Sequence, residues 1–208
     1  MCTVGPTRFT GLLAHFAKAY PGITLQIFEG VPGALSEKLE MGEIDVALMA
    51  SPNPFPDRFK LERLFRERFV VAFLMGHRFA SLNAVPVAAI DGETYLRRLS
   101  CEFYYELSDL ASAGGATAMD GYTSEREDWI QNMVAGGLGI CFIPEFSAVV
   151  AGVQTRPLMD PEVWRDVHLV TMTGRRHSPA VASFFNALRG FPFQESRFGI
   201  DQDLARGA

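Results

Sequence analysis

The sequence predicts an α/β chain folded as two small lobes, with the backbone crossing between them twice. Three observations lead there. The first fifty residues alternate strand-like and helix-like patterns. A second alternating series begins near Met75. Late in the chain, the alternating run Val167–Met172 can return it to the first lobe.

In order, Met1-Cys2-Thr3-Val4-Gly5-Pro6 reads as the end of a short strand entering a turn, and Pro6 suits a helix start. Phe9, Leu12, Leu13, Phe16 and Ala17 recur at helical spacing over Thr7–Tyr20, and Pro21-Gly22 stops that helix. Ile23, Leu25 and Ile27 alternate as a strand, Ala34–Met41 reads as a helix ending at Gly42, and Ile44–Met49 as a buried strand. This order predicts a parallel sheet with right-handed crossovers. Ser51–Asp57 is a proline-rich loop, and Phe69–Phe73 is the most strand-like part of Leu61–Leu74. The second series gives a short helix at Val87–Ile90, a strand at Leu96–Cys101 and a helix at Glu102–Ser112. A strand at Ala116–Tyr122, a helix at Glu125–Ala135 and a strand at Gly139–Ile143 follow, with a helical turn from Pro144. Pro179 opens a last helix, Ala180–Arg189. The lobes are then residues 1–74 plus 168–193, and residues 75–167, with a disordered tail at 194–208.

Composition narrows the function. The 208 residues carry a net charge of −5, and the densest basic cluster is only Arg175-Arg176-His177, so phosphate neutralisation by this chain is not expected. Three cysteines without regular spacing argue against a disulfide framework and for a reducing, cytoplasmic setting. There is no CxxC or HExxH, so neither a metal site nor a cofactor is expected. The N-terminus does not read as a signal peptide, and no apolar run is long enough for a membrane span. His15, His77, His168 and His177 are scattered, Asp45 sits inside a strand pattern, and no nucleophile elbow or phosphate loop occurs. The chain does not read as an enzyme.

Two lobes with a hinged cleft bind ligands outside the carboxyl ends of strands and at helix N-termini. The cleft-facing strand ends and the first helix start supply the candidate ligand-contacting residues Thr3, Val4, Gly5, Pro6, Thr7, Val31, Ala50, Ser100, Cys101, Thr123, Ser124 and Phe142. Each also has a structural explanation. Thr3 and the Thr123-Ser124 pair are natural helix caps, and Phe142 suits a core.

Four stretches together resemble the effector-binding domain of LysR-type transcriptional regulators. They are MCTVGPTRFTGLLAHFAKAYPGITLQIFEG, MGEIDVALMA, NMVAGGLGICFIPEFSA and WRDVHLVTMTGRRHSPAVASFFNALRGF, and they run in the family's order. The resemblance implies two Rossmann-like lobes joined by a two-strand hinge, as in type 2 periplasmic binding proteins. It implies a small-molecule effector between the lobes, contacted by a hydroxyl at Thr3. It also implies a homo-oligomer in which Thr7–Tyr20 packs on a partner's Glu125–Ala135, and DNA contact only through a winged helix-turn-helix preceding Met1. Some members carry Arg where this chain has Ala50, and Thr where it has Val31-Pro32, which implies a smaller, less charged or more apolar effector here. Cys101 lies near the peroxidatic cysteine of the peroxide-sensing branch. The following EFYYELSDL holds no resolving cysteine, and Glu102 and Glu106 would raise its pKa. A thiol sensor of the same family, or a periplasmic solute-binding protein, is the alternative.

Overall fold

The computed structural model describes residues 4–193. Its frame is a long strand, β2, that serves two sheets at once. Eight strands are present among the described residues: β1 (Ala47–Met49), β2 (Phe59–Leu74), β3 (Val85–Pro86), β4 (Thr94–Arg98), β5 (Met119–Ser124), β6 (Cys141–Pro144), β7 (Val153–Met159) and β8 (Trp164–Met172). Five helices accompany them: α1 (Thr10–Ala19), α2 (Pro32–Met41), α3 (Tyr104–Ala113), α4 (Glu127–Ala135) and α5 (Pro179–Gly190).

The first part of β2 pairs with β8, which pairs in turn with β1. From Phe69 onward β2 pairs instead with β6 on one side and β7 on the other. All of these pairs are antiparallel. Parallel pairing is confined to β3 with β7, β4 with β5, and a single bridge from Tyr95 to Ile140 that brings the start of β6 beside β4. The run Phe69–Phe73 is fully enclosed, flanked by strands and covered by helices, which explains its unbroken hydrophobicity.

The helices follow their apolar periodicity. In α1, Leu12 and Phe16 are buried at i, i+4, and Phe16 meets Phe184 of α5 edge-on at 5.2 Å. Helix α2 starts on Pro32 and stops at Gly42, whose φ of 74° suits a residue without Cβ. Ser178 caps α5, its hydroxyl accepting from Val181 N–H at 3.3 Å.

Several expectations are corrected. Thr7–Tyr20 is not one helix but a 3₁₀ turn, Pro6–Arg8, followed by α1. Ile23–Ile27 does not form a strand: the segment pairs with no strand among the described residues, and Ile27 is 71% and Phe28 48% exposed. The anticipated parallel sheet in that region is therefore not formed among the described residues, where the sheet around β1 is antiparallel. A strand needs a neighbour for its N–H and C=O groups. Here the segment is separated from Glu43–Leu48 by a cavity of about 580 Å³ that also reaches α1 and α5. Pro144 does close β6 and open a single turn, as expected, its C=O accepting from Ser147 N–H at 2.9 Å. Strand β7 was not predicted. Its VQTRPLM lacks alternation and carries Pro157, which usually argues against a strand. The tail 194–208 lies outside the described residues.

Candidate functional site

Where β2 changes partners, its alternation places charged side chains inward. Glu67 on β2 and Arg165 on β8 each have side chains only 1% exposed. Arg165 Nε and Nη2 donate to Glu67 Oε1 at 2.9 and 2.7 Å. Arg8, in the first turn of the chain, brings Nη1 within 3.6 Å of Glu67 Oε2. Its guanidinium lies between the rings of Phe65 and Phe146, 3.8 Å from each centroid. Burial holds the Arg8 pKa below the ordinary arginine value, against the pull of Glu67 and Glu145.

The cluster continues into the loop after β4. Arg98 Nη2 donates to Glu102 Oε2 at 2.7 Å, and Arg98 Nε lies 3.4 Å from Glu127 Oε2 in the first turn of α4. Arg165 Nη1 reaches within 3.8 Å of Glu102 Oε1. Burial raises the Glu127 pKa despite Arg98 and the Gln131 amide. On the other flank, Arg68 N–H donates to Glu145 Oε1 at 3.3 Å, and Arg68 Nη1 to Glu162 Oε1 at 3.1 Å. Gln131 of α4 ties this flank down, donating to Ser147 O and accepting from Val149 N–H.

A small enclosed space sits inside this cluster, walled by Arg98, Glu102, Arg165 and the aromatic rings of Phe69, Tyr95 and Phe142. It holds about 10 Å³, room for roughly one water. Buried charges of both signs thus converge on a space bordered by aromatic rings. The larger cavity beside Ile23–Glu29 lacks such convergence. The acidic residues on its wall, Glu29, Glu43 and Asp45, are exposed.

The predicted site residues distribute unevenly around these features. Cys101 and Phe142 line the enclosed space, and Phe142 packs on Tyr95 with ring centroids 5.2 Å apart. Gly5 and Thr7 abut the turn after β6. Thr7 Oγ1 donates to Phe146 O at 3.3 Å, and a Cβ on Gly5 would lie 2.1 Å from that oxygen. Val4 and Pro6 line the larger cavity. Ala50 is fully buried in the core, and Val31 precedes α2 as its half-buried N-cap. Ser100 is exposed with φ 59°, and Thr123 is exposed on β5. Ser124 Oγ accepts from Arg126 N–H at 3.1 Å, a local cap. Thr3 lies outside the described residues.

Cys101 is half-buried, and burial is the main reason its thiol pKa is raised. Arg98 opposes that rise and Glu102 adds to it, so burial outweighs the acidic neighbours anticipated from sequence. Buried Cys141 also lines the space, with its thiol pushed further up.

Sequence reading passed over Arg8, Glu67, Arg98, Glu127 and Arg165, and treated Glu102 only as a neighbour of Cys101. A signal existed. Arg66-Glu67-Arg68 runs directly into FVVAF, and Arg98 shares the strand face of buried Leu96. Among the described residues no helix is long and apolar enough to cross a membrane, and no group of His, Cys, Asp and Glu is placed to hold a metal ion.

The LysR substrate binding domain family matches residues 1–191 of the chain. The chain is 26% identical over 177 residues to the hydrogen peroxide-inducible genes activator of Haemophilus influenzae, covering 83% of this chain and 58% of that protein. It therefore spans less than two thirds of that relative's length. In fold it is similar to the Synechocystis PCC6803 CcmR regulatory domain in complex with 2-PG, with TM-score 0.79 and 17% identity over 90% of this chain and 92% of that one. It is also similar to the effector binding domain of QuiR in complex with shikimate, with TM-score 0.75 and 18% identity over 89% and 90% of the two chains. The fold is thus that of LysR effector-binding domains, a mixed α/β architecture of the type 2 periplasmic-binding kind.

Proposed function

Since the chain belongs to the LysR substrate binding domain family, we propose that it is the effector-sensing part of a longer, cytoplasmic, DNA-binding regulator of transcription. The match over residues 1–191 carries this reading. It favours a regulator over a transport-system solute-binding protein. The chain senses without turning over its ligand, and DNA is contacted by another part of the longer protein.

The proposed lobes are residues 1–74 plus 168–193, and residues 75–167, with the effector bound between them. The partner change along β2 at Phe69 supports a hinge there. The effector site is the space among Arg98, Glu102 and Arg165, with Cys101 and Phe142 on its wall. Gly5 and Thr7 flank it, linked to the turn that carries Phe146. In its closed form the site has no room for a metabolite, so binding must open it. An effector favours one lobe arrangement by its differential affinity, and this re-aims the DNA-binding parts of a homo-oligomer.

A thermal-shift screen against aromatic acids, small carboxylates, amino acids and oxidants tests the reading. A ligand at 100 times its Kd adds about 2.7 kcal/mol. A saturable rise that Arg98→Met abolishes supports the site, and a rise indifferent to Arg98 places the ligand elsewhere. The relationship to a peroxide-inducible activator favours one second reading, a thiol sensor at Cys101. Its signature is a peroxide-induced shift lost in Cys101→Ser.

A further inference from the structure

The cluster interleaves opposite charges. Arg8, Arg68, Arg98 and Arg165 lie among the buried or half-buried carboxylates Glu67, Glu102, Glu127 and Glu145, and Arg68 also holds Glu162 at the exposed edge. Three of these carboxylates are anchored by regular structure. Glu67 lies within β2 and Glu127 within α4. Glu145 is bonded to β2 in both directions, its N–H donating to Arg68 O at 3.0 Å and its carboxylate accepting from Arg68 N–H.

Glu102 is different. It lies in the loop between β4 and α3, two residues after Ser100. Ser100 holds φ at 59°, a left-handed conformation that favours glycine. That loop aims the Glu102 carboxylate between Arg98, at 2.7 Å, and Arg165, at 3.8 Å. It can leave without breaking a strand or a helix.

Resting on the reading of this space as the effector site, we propose that it is a carboxylate-binding site and that Glu102 is its built-in occupant. An incoming monocarboxylate takes the Glu102 position between Arg98 and Arg165 while the Ser100–Glu102 loop moves outward and Phe103 stays in the core as the N-cap of α3. Exchange of one carboxylate for another preserves neutrality, whereas a second buried negative charge would be uncompensated. The roughly 10 Å³ now free cannot admit an acid until Glu102 departs. The surrounding Phe69, Tyr95 and Phe142 rings suit an acid with a small apolar or aromatic body.

The test is chemical rescue of Glu102→Ala, which removes a CH₂–COO⁻ fragment, with acetate as the probe. Melting temperature is followed against acetate and against neutral acetamide at constant ionic strength. The expected result is a saturable rise with acetate, roughly 5–10 °C at 100 times Kd. It is absent with acetamide, in the unmodified chain, and in Glu102→Ala combined with Arg98→Met. No rise in Glu102→Ala, or an equal rise in the unmodified chain, overturns the proposal. Should Glu102→Ala not fold, Glu102→Gln keeps the side-chain volume. Acetate then displaces a neutral amide and gives a smaller saturable rise, and its absence there is equally fatal. The outcomes separate the two claims. A metabolite that binds through Arg98 without acetate rescue leaves the effector site standing and removes Glu102's role. Rescue without any metabolite binding the unmodified chain does the reverse.

Discussion

Neutralising Glu67 removes one of the two most deeply buried carboxylates of the cluster, the other being Glu145. Glu67→Gln leaves the Arg165 guanidinium, 1% exposed, without the anion that accepts its 2.9 and 2.7 Å hydrogen bonds, and weakens the hold on Arg8 at 3.6 Å. Breaking one partner of a buried pair costs about 3–5 kcal/mol. At about 2–4 °C per kcal/mol for a chain of this size, the melting temperature should fall by roughly 6–20 °C. Arg165→Met leaves Glu67 with Arg8, at 3.6 Å, as its remaining cation and takes away both of its short hydrogen bonds. In the double variant neither charge is left alone, so its cost should be well below the sum, with a coupling of at least about 2 kcal/mol. Urea unfolding of the four proteins measures this cycle. A Glu67→Gln cost below about 1 kcal/mol, or costs that add within about 0.5 kcal/mol, would refute the idea that the pair acts as a unit.

Other consequences follow from single contacts. Gly5→Ala should destabilise by about 3 kcal/mol in urea titration, because its Cβ would meet Phe146 O at 2.1 Å and force the first turn off the Phe146 segment. Alkylation by iodoacetamide at pH 7.5 should be slower for Cys101 than for free cysteine and slower still for Cys141, since burial raises both thiols; mass spectrometry reads the order. A Cys101 that reacts faster than free cysteine would instead favour the thiol-sensor reading. Burial lowers the His168 pKa from its ordinary value of 6.5, so the unfolded chain takes up that proton first. Stability should therefore drop as pH falls below about 6.5, and the difference in urea midpoint between pH 7.5 and 5.5 should shrink in His168→Gln.

Local signals carried most of the fold. Pro6 and Pro179 mark helix or turn starts, Gly42 a helix end, and the i, i+4 pair Leu12 and Phe16 a buried face, whereas α2 begins at Pro32, two residues before the Ala34 read from sequence. The failures occurred where a neighbour decides. Ile23–Ile27 has strand alternation but no ladder among the described residues, and β7 has a ladder on both edges in spite of Pro157. Pairing is a tertiary fact that alternation alone cannot supply. The site was less legible. Strand ends and helix starts pointed to Cys101 and Phe142, which line the enclosed space, to Gly5 and Thr7, which contact the Phe146 turn, and to Val31, Ala50 and Thr123, which do neither. The charges at its centre were missed because Arg and Glu normally read as surface. Only three-dimensional pairing of Arg8, Glu67 and Arg165, drawn from three separate stretches of sequence, makes their burial tolerable.

The most direct test of the central claim is hydrogen–deuterium exchange on the chain with and without a metabolite that raises its melting temperature saturably. Binding in the charged space predicts changed exchange in residues 98–103 and in residues 141–147, with segment 23–29 unaffected. Protection confined to 23–29 and 43–48, the walls of the larger cavity, would contradict it and move the effector to that side of the molecule.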